Sequence, residues 1–368
     1  MSDLPEPDRI PGAPHPRATR RIIGQDAAID GFLTAWSSGK LHHGWMLTGP
    51  RGVGKATLAY AIARFVLATP PQQDDGLFGA PEPPTSLIID PEHPVARRIN
   101  AGSEPGLFVL RRGVDEKTKR ARAVITVGEI RNLGGFFHLS APDGGSRVVI
   151  IDAADDLNPS AANALLKLLE EPPAKVLMLL VTHQPAGLLP TIRSRVRELR
   201  LSPLGEAHMK DALDQTGTEI ADPKALSILS AGSVGAALRI AGLDGLALYS
   251  ELMAILSSLP DLDRPRALKL AEAAATRGAE ARLDLLVSLI DTGLARLART
   301  GVAGPPAPIT AAEPDLLRRL SPDAVQGRRW AEAHHEIGAR LRHGRAVNLD
   351  PATLILDTML SIQKTAPR

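Results

Sequence analysis

Trp45-Met46-Leu47-Thr48-Gly49-Pro50-Arg51-Gly52-Val53-Gly54-Lys55-Ala56-Thr57 joins a short apolar run to a glycine-rich turn and then to a helical stretch reaching about Leu67. The apolar run halts at Gly49-Pro50, as a buried strand does at its end. A strand, a glycine-rich turn closed by lysine and a helix start are the context of a phosphate loop. Small residues let backbone N–H groups close on phosphate oxygens. The helix N-terminus adds partial positive charge, and Lys55 supplies a full one. Gly49, Gly52, Gly54, Lys55 and Thr57 are therefore candidate nucleotide-binding residues. One position departs from the pattern. A Ser or Thr directly after the lysine would ligate Mg²⁺, and here that residue is Ala56. Thr57 lies about 100° further round the helix and is a poor substitute.

A second strand, Arg147-Val148-Val149-Ile150-Ile151-Asp152, ends in a carboxylate placed where a nucleotide site needs one for its metal. The expected next residue, a Glu that activates water, is Ala153. Asp155 and Asp156 lie beyond the strand end and do not simply take its place. Hydrolysis needs both the metal and a positioned water. The chain keeps the cradle, with Asp152 as its carboxylate, and lacks the chemistry.

The remaining chain alternates helices and strands as far as Pro203. A helix is expected over about 25–39 and strands at 107–110, 176–181 and 196–201. A further helix is expected over 125–138. Another is bounded by Asn158 as cap, Pro159 in its first turn and Pro172-Pro173 as its stop. This alternation requires a parallel sheet covered on both faces. Residues 69–94, rich in Pro, Asp and Gly, read as an insertion. After Pro203 the pattern is helical throughout, with amphipathic stretches near 245–258, 264–278, 280–300, 324–342 and 351–364. The expected organisation is a mobile proline-rich arm (1–19), an α/β domain (20–203), a small helical lid (204–243) and a larger helical bundle (245–368).

Composition bounds the function. With 43 Lys and Arg against 41 Asp and Glu, the formal net charge is +2, which excludes a bulk nucleic-acid binder. Aromatic residues make up 3%, so base stacking is not the main business. Two basic clusters read either as solvated loops or as local DNA contacts. They are Arg17, Arg20 and Arg21, and Arg111, Arg112, Lys117, Lys119, Arg120 and Arg122. No cysteine is present, which removes disulfides and thiolate zinc sites and suits a reducing compartment. The N-terminus lacks a signal-peptide pattern, and no apolar segment is long enough for a bilayer. A soluble cytoplasmic protein without a membrane partner is expected.

Three segments in this order and spacing resemble the clamp-loader branch of AAA+ proteins: Gly49–Thr57, Asn163-Ala164-Leu165-Leu166-Lys167-Leu168-Leu169-Glu170-Glu171-Pro172-Pro173, and Ile192-Arg193-Ser194-Arg195. The similarity extends through Gly232-Ser233 to Asn348-Leu349-Asp350-Pro351. It implies an AAA+ sheet domain, a lid and a C-terminal collar. It also implies a place in a hetero-pentamer with tau/gamma and delta subunits that opens a sliding clamp and closes it on primed DNA. In that family an arginine of a Ser-Arg-Cys motif reaches the neighbouring subunit's ATP site. Ser194-Arg195-Val196 matches except at the cysteine, so the resemblance assigns Arg195, with Ser194, a catalytic role in trans. Ala56, Ala153 and Gly235 replace the hydroxyl, the Glu and the lid arginine of the hydrolysing subunit. They point to a non-hydrolysing member with no autonomous ATPase. Such a member needs no cofactor, and ATP or ADP would bind weakly if at all. The family's zinc module is represented by Asp90-Pro91-Glu92-His93-Pro94 without cysteine, so no zinc is expected. Two alternatives stay open: an active tau/gamma-type ATPase or other AAA+ motor, with Thr57 and Asp156 in displaced roles, and a helical scaffold that binds no nucleotide.

Overall fold

The computed structural model describes residues 13–69, 82–114, 122–138, 145–218, 220, 222–276 and 278–367. The chain divides into two compact units. One comprises Met1–Thr218 with Ser233–Ala236, the other Glu219–Gly232 with Ala237–Arg368.

In the first unit five strands form one parallel sheet. They are β1 (Gly44–Thr48), β2 (Leu107–Leu110), β3 (Arg147–Asp152), β4 (Val176–Val181) and β5 (Arg197–Arg200), in the order β2-β3-β4-β1-β5. Trp45 pairs with Leu179 on one side of β1 and with Arg197 on the other. The central strands read as continuous apolar runs because both faces are covered. Their side chains still alternate. Leu47, Val148, Ile150, Leu177 and Leu179 pack with α1 (Asp26–Ser37), α2 (Lys55–Ala68) and α3 (Pro94–Ala101). Met46, Val149, Ile151, Met178 and Leu180 pack with α4 (Val127–His138), α5 (Pro159–Glu170) and α6 (Pro190–Arg193). β5 is an edge strand in which only Leu199 is buried, its charged neighbours facing water as edge strands require. A seventh helix, α7 (Glu206–Asp214), follows it.

The expected α/β architecture is present, with differences at its margins. α4 starts at Val127 rather than Ile125, because Ile125 is taken by a parallel bridge to Leu157. Glu129 reaches back to accept the Thr126 N–H at 2.8 Å, a capping arrangement that fixes the helix start. α3 and α6 are short helices opened by proline, to which the sequence reading assigns no element. Residues 15–19, at the end of the proline-rich arm, are tied to α2. Arg64 donates to Arg17 O at 2.5 Å and to Thr19 O at 2.8 Å. Residues 1–12 of that arm, 70–81 of the insertion, and Lys117, Lys119 and Arg120 lie outside the described residues.

The second unit is all helical among its described residues. Besides α8 (Pro223–Leu229) and most of α9 (Val234–Gly242), it contains α10 (Gly245–Ser257), α11 (Arg264–Ala275), α12 (Glu280–Ala303), α13 (Glu313–Leu320), α14 (Ala324–Ala346) and α15 (Pro351–Thr365). α12 crosses α14 at two glycines: a Cβ on Gly301 would stand 2.8 Å from Gly327 Cα. α13, absent from the sequence expectation, seats a buried polar centre. Glu313 is 1% exposed and accepts from Tyr249 Oη (2.5 Å), Arg296 Nε (2.7 Å) and Ile309 N (2.6 Å). Among the described residues no single helix is long and apolar enough to cross a membrane.

Candidate nucleotide site and arginine

β1 delivers the chain to Gly49, and α2 begins at Lys55, so the glycine-rich turn lies at the C-terminal edge of the sheet. Gly49 (φ 140°), Gly52 (φ 75°) and Gly54 (φ 102°) hold backbone conformations that side chains disfavour. A Cβ on Gly49 would meet Leu201 O at 2.5 Å, whereas one on Gly54 would project into open space. The loop's carbonyls all have donors. Lys55 Nζ donates to Gly49 O and Pro50 O, each at 2.6 Å. Arg51 O accepts from Ser233 Oγ at 2.8 Å, Gly52 O from Gly235 N at 3.0 Å, and Val53 O from Gln25 Nε2 at 3.3 Å. Gly54 O takes the first helical bond, from Leu58 N at 2.8 Å. The N–H groups of Lys55, Ala56 and Thr57 are the orphan donors of a helix start, which an anion can satisfy.

Lys55 is buried, 3% exposed. Burial pushes its amine down to about 8, against the opposing pull of Asp152 and then Asp155, while Arg51 adds to the lowering. The structure thus brings Gly49, Gly52, Gly54 and Lys55 together, with Asp152 acting on the lysine across the turn. Ala56 presents a methyl group where a metal-ligating hydroxyl would stand, and Thr57 is half-buried one position on.

The carboxylates after β3 are committed elsewhere. Asp155 accepts from Thr182 Oγ1 (2.6 Å), His183 N (2.6 Å) and Gln184 N (2.9 Å) at the end of β4. Burial alone would raise its carboxyl, but these bonds hold it below the usual carboxylate range. Asp156 pairs with Arg112 at 3.2 Å. His183, beside this group, is pushed down to about 4 by burial and by the charges of Lys55 and Arg51, against Asp155, so its ring is neutral at pH 7. The residues fit a bound phosphate. They do not fit a metal-assisted hydrolysis, which would need an oxygen at 56 and a base at 153.

Ser194 and Arg195 stand apart from this cluster, at the turn between α6 and β5. Arg195 Nη1 donates to Thr191 O at 3.0 Å and to Ser194 Oγ at 3.3 Å, and Nη2 pairs with Glu170 Oε1 at 2.9 Å. The side chain is 37% exposed, on the surface rather than in the core. Of the basic clusters, Arg112 and Arg122 are each held by a carboxylate, Asp156 and Glu129.

The family model described as DNA polymerase III, delta subunit, matches residues 24–205. The chain is 38% identical over 153 residues to DNA polymerase III subunit delta' of Pseudomonas aeruginosa, covering 42% of this chain and 41% of that one. It is 32% identical over 210 residues to the delta' subunit of Escherichia coli, covering 57% of each. This chain belongs to the DNA polymerase III clamp-loader family. The tau subunit of Salmonella typhimurium is also similar, 29% identical over 289 residues, covering 76% of this chain and 41% of that one. The chain spans about half the length of the curated relatives it matches first.

Several groups around this family member's loop escaped the sequence reading. Gln25 precedes α1 but caps nothing there. Its buried side chain joins Val53 to Ser202 through bonds to Ser202 O (2.8 Å) and from Ser202 N (3.0 Å). A glutamine at a helix start, where Ser, Thr, Asp and Asn are preferred, is the signal that was there to find. Ser233 enters the sequence pattern only as part of a Gly-Ser pair, and its contact with Arg51 spans 182 positions. Asp155 had no local signal beyond its charge.

Proposed function

We propose that this chain is a delta'-type subunit of the DNA polymerase III clamp loader, one that binds nucleotide weakly or not at all, hydrolyses none, and lends Arg195 to a neighbouring subunit's ATP site. The observation that carries the reading is an intact phosphate cradle combined with Ala56 and Ala153. Bound nucleotide would supply a polyphosphate anion to the turn. Lys55 and the free N–H groups at the start of α2 would hold it, and the glycines would let the backbone approach. Asp155, fully hydrogen-bonded, and Asp156, paired with Arg112, leave an active-ATPase reading without its base.

Arg195 supports the other half. A guanidinium is always protonated and offers a planar fork, so beside a transferring phosphoryl group it offsets developing charge without tuning. The helical region from 245 onward is proposed as the collar that joins the ring, with tau/gamma and delta subunits as partners. The sliding clamp and primed DNA would be met through the assembly.

The test is ATP turnover by a loader reconstituted from this chain with tau/gamma and delta subunits. Arg195→Ala is expected to leave assembly intact and to lower DNA-stimulated turnover. Trans-acting arginines contribute roughly 10³–10⁵ where one serves a single site, and one among several serves less. Lys55→Ala should change turnover little. A wild-type rate for Arg195→Ala, or steady hydrolysis by the isolated chain that Lys55→Ala abolishes, overturns the reading.

A further inference from the structure

Arg195 does not lie loose on the surface. Both terminal nitrogens of its fork are engaged by acceptors of the same chain: Thr191 O, Ser194 Oγ and the Glu170 carboxylate. A carboxylate 2.9 Å away also offsets the charge that a finger has to present. Glu170 stands in an awkward place for an acid. It is the last residue of α5, where the partial negative end of the helix disfavours carboxylates, and Glu171 follows it. The platform beneath is fixed. His43 Nε2 lies 3.0 Å from Leu169 O, and Glu171 N donates to Lys167 O at 3.1 Å. Gly44 approaches so closely that a Cβ there would stand 3.2 Å from Leu169 Cδ2 and 3.4 Å from Arg195 O. An acid set against its own helix dipole, on a rigid support, beside the fork of Arg195 breaks a local rule in a way that marks function rather than stability.

We propose that Glu170 is a positioning residue that holds Arg195 on its own chain until phosphate oxygens on the neighbouring subunit displace the carboxylate. This rests on the reading of Arg195 as a trans-acting finger. With side-chain exposures of 37% and 47%, the pair is screened by water and opens readily. A polyphosphate, carrying more charge and several acceptor oxygens, outcompetes one carboxylate for the fork. Glu170 therefore keeps turnover low until the neighbour's nucleotide is seated against this face.

The experiment measures ATP turnover by the reconstituted loader with and without primed DNA, for Glu170→Gln, Glu170→Asp, Arg195→Ala and the pair Glu170→Gln with Arg195→Ala. Glu170→Gln should raise the DNA-independent rate about two- to fivefold, the range an exposed ion pair supplies. It should leave the rate at saturating primed DNA unchanged. Glu170→Asp, which keeps the charge, should stay near wild type, and the pair should match Arg195→Ala alone. A DNA-independent rate for Glu170→Gln that is unchanged or lower overturns the holding role, as does a rise that persists without Arg195. If Arg195→Ala itself runs at the wild-type rate, the finger reading falls and the holding role with it. If Arg195→Ala slows turnover while Glu170→Gln changes nothing, only the holding role falls. A second readout needs no partner subunit. In the isolated chain, rotation of the Arg195 guanidinium, followed by ¹⁵N NMR, should quicken in Glu170→Gln, and unchanged rotation refutes the contact.

Discussion

Replacing Glu313 by alanine should be among the most damaging single changes in the helical unit. Its carboxylate is 1% exposed and takes three donors at 2.5–2.7 Å, from Tyr249, Arg296 and Ile309. Burial, followed by the bond to Glu313 and its charge, pushes the Tyr249 hydroxyl above its ordinary value, so the centre is strongly polarised. Without the carboxylate, the Arg296 guanidinium, whose side chain is 11% exposed, loses its ion pair and is left with neutral acceptors, Ala307 O at 2.7 Å among them. Breaking a buried pair by removing one partner costs about 3–5 kcal/mol. The Tyr249 hydroxyl and Ile309 N–H, which lose this acceptor, belong to the same network, so their penalties fall within that range rather than adding to it. The assay is urea unfolding of chain labelled with 5-fluorotryptophan, followed by ¹⁹F NMR. Trp330 is fully buried and donates to Leu320 O at 2.8 Å, so its resonance reports the seat of α13. Adding Arg296→Met should recover at least half of the loss, because it removes the stranded charge. A loss below about 1 kcal/mol, or no recovery in the double variant, refutes the assignment of this centre as a coupled buried ion pair.

Three further outcomes follow from geometry and charge. The Lys55 amine is lowered from 10.5 to about 8, so the folded chain binds fewer protons than the unfolded chain between those values. Its contribution to stability therefore grows as pH rises through that window. Affinity for ADP, which needs the charged amine, should fall above about pH 8 by up to about tenfold per unit. Fluorescent ADP titrated at pH 7 and pH 9 checks this, with Lys55→Ala expected to show no such slope. Gly327→Ala should cost about 1–3 kcal/mol by overpacking the α12–α14 crossing, since its Cβ would meet Ala298 O at 2.9 Å and Gly301 Cα at 3.1 Å. A Trp330 unfolding midpoint equal to wild type would show that the crossing has slack.

What was legible in the sequence was what short-range pattern encodes. The helix that opens at Asn158-Pro159 does so as read: Asn158 Oδ1 accepts from Ala161 N at 2.8 Å, and α5 ends at Glu170, just before the diproline. β3 and β4 were legible because a doubly covered strand leaves no polar face to interrupt the run. α13 was not. Its eight residues, two acids and two arginines among three leucines, are too few for a helical period to stand out, and only Arg296, 17 positions away, makes Glu313 a core residue. The same limit applies at the site. The loop was visible in its glycines and lysine. Gln25 and Ser233, which hold its carbonyls, are remote in sequence, and no periodicity links a side chain to a partner on another element.

On the proposed reading of a chain that hydrolyses no ATP, the loop still has a structural reason to keep its lysine and glycines. Six consecutive carbonyls, Gly49 to Gly54, are each bound by a donor, two of them by the Lys55 amine itself. A buried lysine left without those acceptors would cost about 1–3 kcal/mol. Lys55 therefore has a structural reason to remain that does not depend on nucleotide. Ala56 and Ala153 have no such constraint. The hydroxyl and carboxylate of an active site serve the metal and the water, and their loss strands no backbone group in the loop. On the proposed reading, those two side chains can be absent at little structural cost. The chain cannot shed the lysine or the glycines as cheaply, because with them goes the turn that joins β1 to α2 and receives Ser233 and Gly235.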